Sequence, residues 1–163
     1  VFDLAVKVGE RLMQRGLKLV TAESCTGGWL GQAVTAVAGS SAWYERGFIT
    51  YSNLSKCEML SVQQATLDQY GAVSAQTAQE MVMGALNRSH AQMGVSITGI
   101  AGPDGGTAVK PVGMICFAWA IEDGPVRQET RFFKGNRDTI RRLSVATALQ
   151  GILRLLDDAI TVA

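Results

Sequence analysis

"TAESCTGG", residues 21–28, follows the apolar stretch Leu17–Val20 and leads into Trp29-Leu30-Gly31-Gln32-Ala33-Val34. One acid, the run Ser24-Cys25-Thr26 and two glycines suit neither a strand nor a helix interior, and they mark the passage from one to the other. A short strand is expected over Leu17–Thr21 and a helix from about Thr26 to Val37. The fold is decided by whether this strand–turn–helix unit repeats.

It does, in both directions. Ahead of it, Phe2, Leu4, Ala5, Val8, Leu12 and Met13 fall near helical spacing, and Gly16 is the expected stop. Behind it, Gly39-Ser40-Ser41 breaks the pattern, and "RGFITYS" (46–52) has the aromatic and β-branched content of a strand. Asn53 is expected to cap a helix over Leu54 to about Leu60, with a second helical piece over Gln63–Tyr70 ended by Gly71. Ser74 opens a further helix, and "AQMGVSITGIAG" (91–102) runs from strand into a glycine-rich loop, Gly99–Gly106. Val112–Ile121 and Val126–Phe133 read as two strands joined by "EDGP", an antiparallel hairpin signal. Asn136 is expected to cap a last helix from about Arg137 to Ala159. Alternating strands and helices followed by a hairpin predict a single three-layer α/β/α domain over 1–163, with a mixed, mainly parallel sheet and a C-terminal antiparallel hairpin.

Length and composition agree with one globular domain: 163 residues, 47% hydrophobic and 18% charged. The formal charge is +1, and the nearest approach to a basic patch is Arg137, Arg141 and Arg142, so no nucleic-acid partner is expected. Cys25, Cys57 and Cys116 fit no zinc spacing, and the single His90 leaves few metal ligands. Free thiols point to a reducing, cytoplasmic setting. No apolar run is long enough to span a bilayer, and the charged amphipathic amino terminus is unlike a signal peptide. The chain opens on Val1 rather than methionine, and further residues are expected before it.

In α/β sheets ligands gather at the carboxyl ends of strands. Three stretches belong there: Ala22–Gly28, Tyr51–Lys56 and Thr98–Gly106. If the three strands are parallel neighbours, the three loops share one rim. Ser24 would then be held exposed beside the backbone N–H groups of Cys25, Thr26 and Gly27, which suit an oxyanion or a phosphate. The plainer reading makes Ser24 or Thr26 an N-cap. A serine nucleophile needs a base. His90 is expected at the opposite end of the sheet, whereas Lys56 occupies an equivalent strand-to-helix junction, with Tyr51, Ser52 and Asn53 to orient it. Burial and positive neighbours would lower its pKa enough for that role; an arbitrary helix lysine is simply solvated. Thr98 and the glycines at 99, 102, 105 and 106 allow close approach of a ligand to the main chain, or form an empty glycine-rich loop. Asp104 reads as a turn residue. Cys25 is a rival nucleophile without a histidine partner. Arg137 and Arg141 share a helix face that would hold a phosphate or repel a proton from Lys56, and a solvated face is the ordinary explanation.

Taken together, "TAESCTGGWLG" (21–31), "SSAWYERGFITYSNLSK" (40–56), "GAVS" (71–74), "SITGIAGPDGG" (96–106), "KPVG" (110–113) and "NRDTIRR" (136–142) resemble the carboxy-terminal domain of the CinA family of competence- and damage-inducible proteins, and most closely its stand-alone bacterial members. The resemblance runs from about Leu4 to Leu156. It implies an amidohydrolase of pyridine-nucleotide salvage that converts nicotinamide mononucleotide to nicotinate mononucleotide and ammonia, with no metal or organic cofactor. At matching positions it implies Ser24 as nucleophile, Lys56 as general base and Tyr51 as a third catalytic group. Thr26, Gly27, Gly28, Thr98, Gly99, Gly102 and Arg141 would bind the substrate. A homo-oligomer is also implied. The separate activity of the larger members' amino-terminal domain is not expected here. A non-catalytic nucleotide-binding or interaction domain is the alternative.

Overall fold

The computed structural model describes the backbone of residues 1–162 and the side chains of residues 1–158. In chain order the elements are α1 (Phe2–Arg15), β1 (Leu19–Glu23), α2 (Trp29–Thr35), β2 (Tyr44–Ile49), α3 (Asn53–Leu60), α4 (Gln64–Tyr70), α5 (Ala75–Asn87), β3 (Met93–Gly99), β4 (Met114–Ile121), β5 (Val126–Phe132) and α6 (Arg137–Val162), with a 3-10 turn at Ser40–Ala42. The five strands form one sheet in the order β2-β1-β3-β4-β5.

β1 pairs in parallel with β2 on one side and with β3 on the other. The connection from β1 to β2 runs through α2 on one face of the sheet. The return from β2 to β3 runs through α3, α4 and α5 on the opposite face. Two right-handed crossovers that move in opposite directions across the sheet, β1 to β2 and then β2 back past β1 to β3, require that exchange of faces. The carboxyl ends of β2, β1 and β3 consequently lie side by side. β3–β4 and β4–β5 are antiparallel. Parallel and antiparallel pairings are thus two of each, and β4 alone runs against the other four strands of a mixed, mainly parallel sheet. The reason is local: Ile100–Gly113 joins β3 to β4 without a crossover helix, so β4 has to return in the opposite sense.

Side chains alternate across the sheet with the period of two that a doubly covered strand needs. Met93, Val95 and Ile97 of β3 and Ile115, Phe117 and Trp119 of β4 face α1, α2 and α6. Cys116, Ala118 and Ala120 of β4 face Ala78 and Val82 of α5. Each fully buried aliphatic side chain stabilises the fold by about 1.5–3 kcal/mol, so this double layer fixes the strand register firmly. On the α5 side the packing is unusually close: a Cβ on Gly84 would stand 1.9 Å from the Leu60 carbonyl oxygen. That contact draws α3, which carries Lys56, down onto α5.

Several boundaries move from their expected positions for identifiable reasons. β1 begins at Leu19 instead of Leu17, because the Gly16 and Leu17 N–H groups close the end of α1 on Met13 and Leu12. α2 begins at Trp29 instead of Thr26, because Gly27 and Gly28 take left-handed conformations (φ 57° and 107°). β2 is Tyr44–Ile49 instead of 46–52, since residues 50–52 turn into α3, where Ser52 and not Asn53 is the N-cap. Ser74 caps α5, and Asn136 accepts the Thr139 N–H at the start of α6, as expected.

Candidate active site

The rim formed by the three parallel strand ends holds a cavity of about 280 Å³. Ser24, Cys25, Tyr51, Lys56, Thr98, Gly99, Gly102, Asp104 and Arg137 are among its lining residues. Ser24 follows β1 directly; its N–H donates to Ile97 O of β3, which continues the ladder for one residue past the strand. The chain then folds back, with the Gly27 N–H donating to Ser24 O. This tight turn is possible because Gly27 and Gly28 follow, and it leaves the Ser24 side chain at the cavity wall, 8% exposed.

Lys56 approaches from α3. Its side chain is 1% exposed, and its Nζ lies 2.9 Å from Ser24 Oγ and donates to Thr50 O at 2.8 Å. Among the described residues, no carboxylate is hydrogen-bonded to it. Burying an ammonium without a counter-ion carries a penalty of several kcal/mol, whereas a neutral amine can be satisfied by one acceptor and one hydroxyl donor. Burial accordingly lowers the Lys56 pKa from its ordinary value of 10.5. The arginines of α6 are not the cause, contrary to the expectation from Arg137 and Arg141.

The other expected site residues divide into two groups. Thr98 (its Oγ1 donating to Ala72 O at 2.8 Å), Gly99 and Gly102 line the cavity. Gly99 has to be small, since a Cβ there would meet the Ile115 side chain at 2.3 Å. Tyr51 also lines it, yet the side chain is 62% exposed and its hydroxyl accepts from Arg137 at 3.1 Å, with no bond to Ser24 or Lys56. It belongs to the mouth. Thr26, Gly27, Gly28 and Arg141 are absent from the wall. Thr26 is buried, with Oγ1 donating to Glu23 Oε1 at 2.7 Å. The glycines shape the turn from behind. Arg141 donates to Cys25 O at 3.1 Å and Thr26 O at 3.0 Å while its guanidinium stands over the Trp29 ring. It grips the loop that carries Ser24. The arginine that reaches the cavity is Arg137, one helical turn earlier, bonded to Gly102 O at 2.7 Å and to the Tyr51 hydroxyl.

Arg137 was offered by the sequence only as one of a shared-face pair of phosphate candidates, and one residue escaped sequence reasoning altogether. Glu23, the acid of the opening motif, is 2% exposed and accepts from Thr26 Oγ1, Leu30 N and Gly31 N; an acid placed just ahead of a helix was the available signal.

Cys25 is buried beside Ser24, and desolvation pushes its thiol up to about 12, so it holds its proton where a thiolate nucleophile would have lost it. Cys25 is therefore expected to resist alkylation by iodoacetamide at pH 8 in the folded protein, and Cys25→Ser is expected to keep most of the turnover; rapid labelling at Cys25, located by peptide mass, would contradict this. His90 is exposed at the other end of the sheet, where its N–H donates to Glu45. It lines a separate cavity of about 810 Å³ and is remote from Ser24. Among the described residues, no group of three or more His, Cys, Asp or Glu stands close enough together to hold a metal ion, and no helix is long and apolar enough to cross a membrane.

A serine and a buried lysine thus meet at the carboxyl ends of parallel strands in an α/β sheet, and comparison with known proteins shows the family in which this arrangement occurs. The model of the CinA C-terminal domain matches residues 1–156, and the chain belongs to that family. It is 50% identical over 150 residues to a nicotinamide-nucleotide amidohydrolase, PncC, of Escherichia coli (strain K12), covering 92% of this chain and 91% of that one. It is 45% identical over 155 residues to the protein of the same name from Pseudomonas putida, covering 95% and 96%. Among solved structures, the competence/damage inducible protein CihA from Agrobacterium tumefaciens superposes with a TM-score of 0.92 at 46% identity, covering 96% of this chain and 94% of that one.

Proposed function

We propose that this chain hydrolyses the carboxamide of nicotinamide mononucleotide, giving nicotinate mononucleotide and ammonia, with Ser24 as nucleophile and Lys56 as general base. The observation that carries the reading is the 2.9 Å contact between Ser24 Oγ and the Nζ of a buried, carboxylate-free lysine. The names of the PncC relatives supply the substrate.

In this reaction neutral Lys56 takes the Ser24 proton as Oγ attacks the amide carbon. The Nζ–H bonded to Thr50 O leaves the amine lone pair free for the serine proton. The tetrahedral oxyanion would be held by main-chain N–H groups of the Ser24–Gly28 turn. The Lys56 ammonium gives its proton to the amide nitrogen as the tetrahedral intermediate collapses and the C–N bond breaks, so the nitrogen leaves as ammonia, Lys56 is neutral again and the acyl ester of Ser24 remains. Water, deprotonated by the same amine, then hydrolyses the ester and restores the serine hydroxyl. The pyridinium ring withdraws electrons from the carboxamide and makes it more electrophilic than a peptide bond. Arg137, at the mouth beside Tyr51, offers the positive charge suited to the substrate phosphate.

In this reading one domain carries the whole activity within pyridine-nucleotide salvage. It works in the cytoplasm, where free Cys25, Cys57 and Cys116 remain reduced, and as an assembly of copies. The test is ammonia release from nicotinamide mononucleotide, with nicotinamide and the dinucleotide as comparison substrates. Stoichiometric ammonia and nicotinate mononucleotide are expected. Tight binding with the ligand recovered intact would instead support a non-catalytic binding domain.

A further inference from the structure

Glu23 lies next to the nucleophile but outside the cavity wall, and its bonds reach both halves of the site. Oε1 accepts from Thr26 Oγ1 at 2.7 Å and from Leu30 N at 2.8 Å; Oε2 accepts from Gly31 N at 3.0 Å. These three bonds close the Ser24–Gly28 turn onto the first turn of α2. In addition, Glu23 O accepts from Thr50 N at 2.8 Å. Thr50 is the residue whose own carbonyl receives Lys56 Nζ. The nucleophile's turn and the base's acceptor are thus tied to one buried residue.

We propose that Glu23 is a positioning residue for the reaction, one whose carboxylate fixes Ser24 Oγ within reach of Lys56 Nζ. The proposal rests on the hydrolase reading for its kinetic consequence, but not for its geometric one. A carboxylate is required because both oxygens face donors. Glutamine fills the same volume with a single acceptor, so its amide nitrogen would confront either the Gly31 N–H or the Thr26–Leu30 pair of donors. A buried donor facing a donor is relieved only by displacing the turn. A displacement of about 1 Å at a reacting atom lowers rates by about 100-fold.

The experiment compares wild type, Glu23→Gln and the milder Thr26→Val, which removes one of the three donors. Two quantities are read: the Ser24 Oγ–Lys56 Nζ separation in crystals, and kcat and KM for ammonia release from nicotinamide mononucleotide. For Glu23→Gln the separation is expected to exceed hydrogen-bonding distance. Its kcat is expected to fall at least about 10-fold, with KM within about twofold of wild type because Glu23 does not line the cavity. The pH midpoint of the residual activity should stay put, since Glu23 makes no hydrogen bond to Lys56. Thr26→Val should show a smaller change in the same direction. An unmoved dyad with wild-type kcat in Glu23→Gln, or in Thr26→Val if the first variant does not fold, would overturn the proposal. Absence of ammonia release by wild type would overturn the hydrolase reading instead, and the crystallographic separation would still decide the role of Glu23.

Discussion

Replacing Lys56 with methionine is expected to lower turnover by about 1,000-fold or more while raising stability at neutral pH. The first effect follows from removing the base: positioned general bases contribute about 100- to 10,000-fold, and a neutral thioether can neither take the serine proton nor return it to ammonia. The second follows from burial. Lys56 is 1% exposed and its folded pKa is lowered from 10.5. In the unfolded chain the amine keeps its proton up to the ordinary lysine range. Between the lowered folded value and that range, the unfolded state therefore binds more protons, and stability rises with pH. Below the folded value the native state has to carry a buried ammonium, and the destabilisation is complete. Methionine removes this dependence, so thermal melting across pH 7–10 should be flatter than wild type and higher at its acid end. The activity of wild type obeys the same titration: kcat/KM should rise with pH as Lys56 loses its proton, with a midpoint below the ordinary lysine value. A midpoint at or above 10.5, or a methionine variant with undiminished turnover, would remove Lys56 from the chemistry.

Ser24→Ala is expected to reduce ammonia release by about 1,000-fold to a million-fold, the range over which loss of a nucleophilic serine acts in serine hydrolases. The change deletes one oxygen at the cavity wall. It leaves intact the Ser24 N–H bond to Ile97 O and the Gly27 N–H bond to the main chain of residue 24, so the turn should persist. Circular dichroism and the melting temperature should remain near wild type, and nicotinamide mononucleotide should still bind. The variant also leaves Lys56 with Thr50 O as its hydrogen-bond partner among the described residues. A folded Ser24→Ala enzyme with wild-type rate would exclude the serine ester.

Much of the site was legible because it depends on topology. Ser24, Lys56 and Thr98 each sit just past, or at the end of, a strand, and β2, β1 and β3 are parallel neighbours, so their loops had to share a rim. What remained hidden depends on which helical turn meets which loop. Arg137 and Arg141 project from one face of α6, but the first reaches the mouth and the second passes behind the Ser24 turn; periodicity alone is the same for both. Tyr51 was expected in the chemistry from the family resemblance and beside Lys56 from its place in the sequence, and turning out of β2 carries its hydroxyl to Arg137. Glu23 was hidden for another reason. As the last residue of a fully buried strand it would ordinarily be apolar, and its role exists only once α2 folds back to present the N–H groups of Leu30 and Gly31. Strand limits shifted by about two residues wherever a cap claimed a backbone group that alternation could not foresee.

The central claim is tested most directly by rapid acid quench of wild type with nicotinamide mononucleotide, followed by intact-protein and peptide mass measurement. A transient adduct equal to the substrate less ammonia should form on the peptide containing Ser24. Its amplitude should rise when hydroxylamine is absent and fall when hydroxylamine competes with water for the ester. Steady release of ammonia with no adduct at any quench time, or an adduct located on Cys25, would contradict the account.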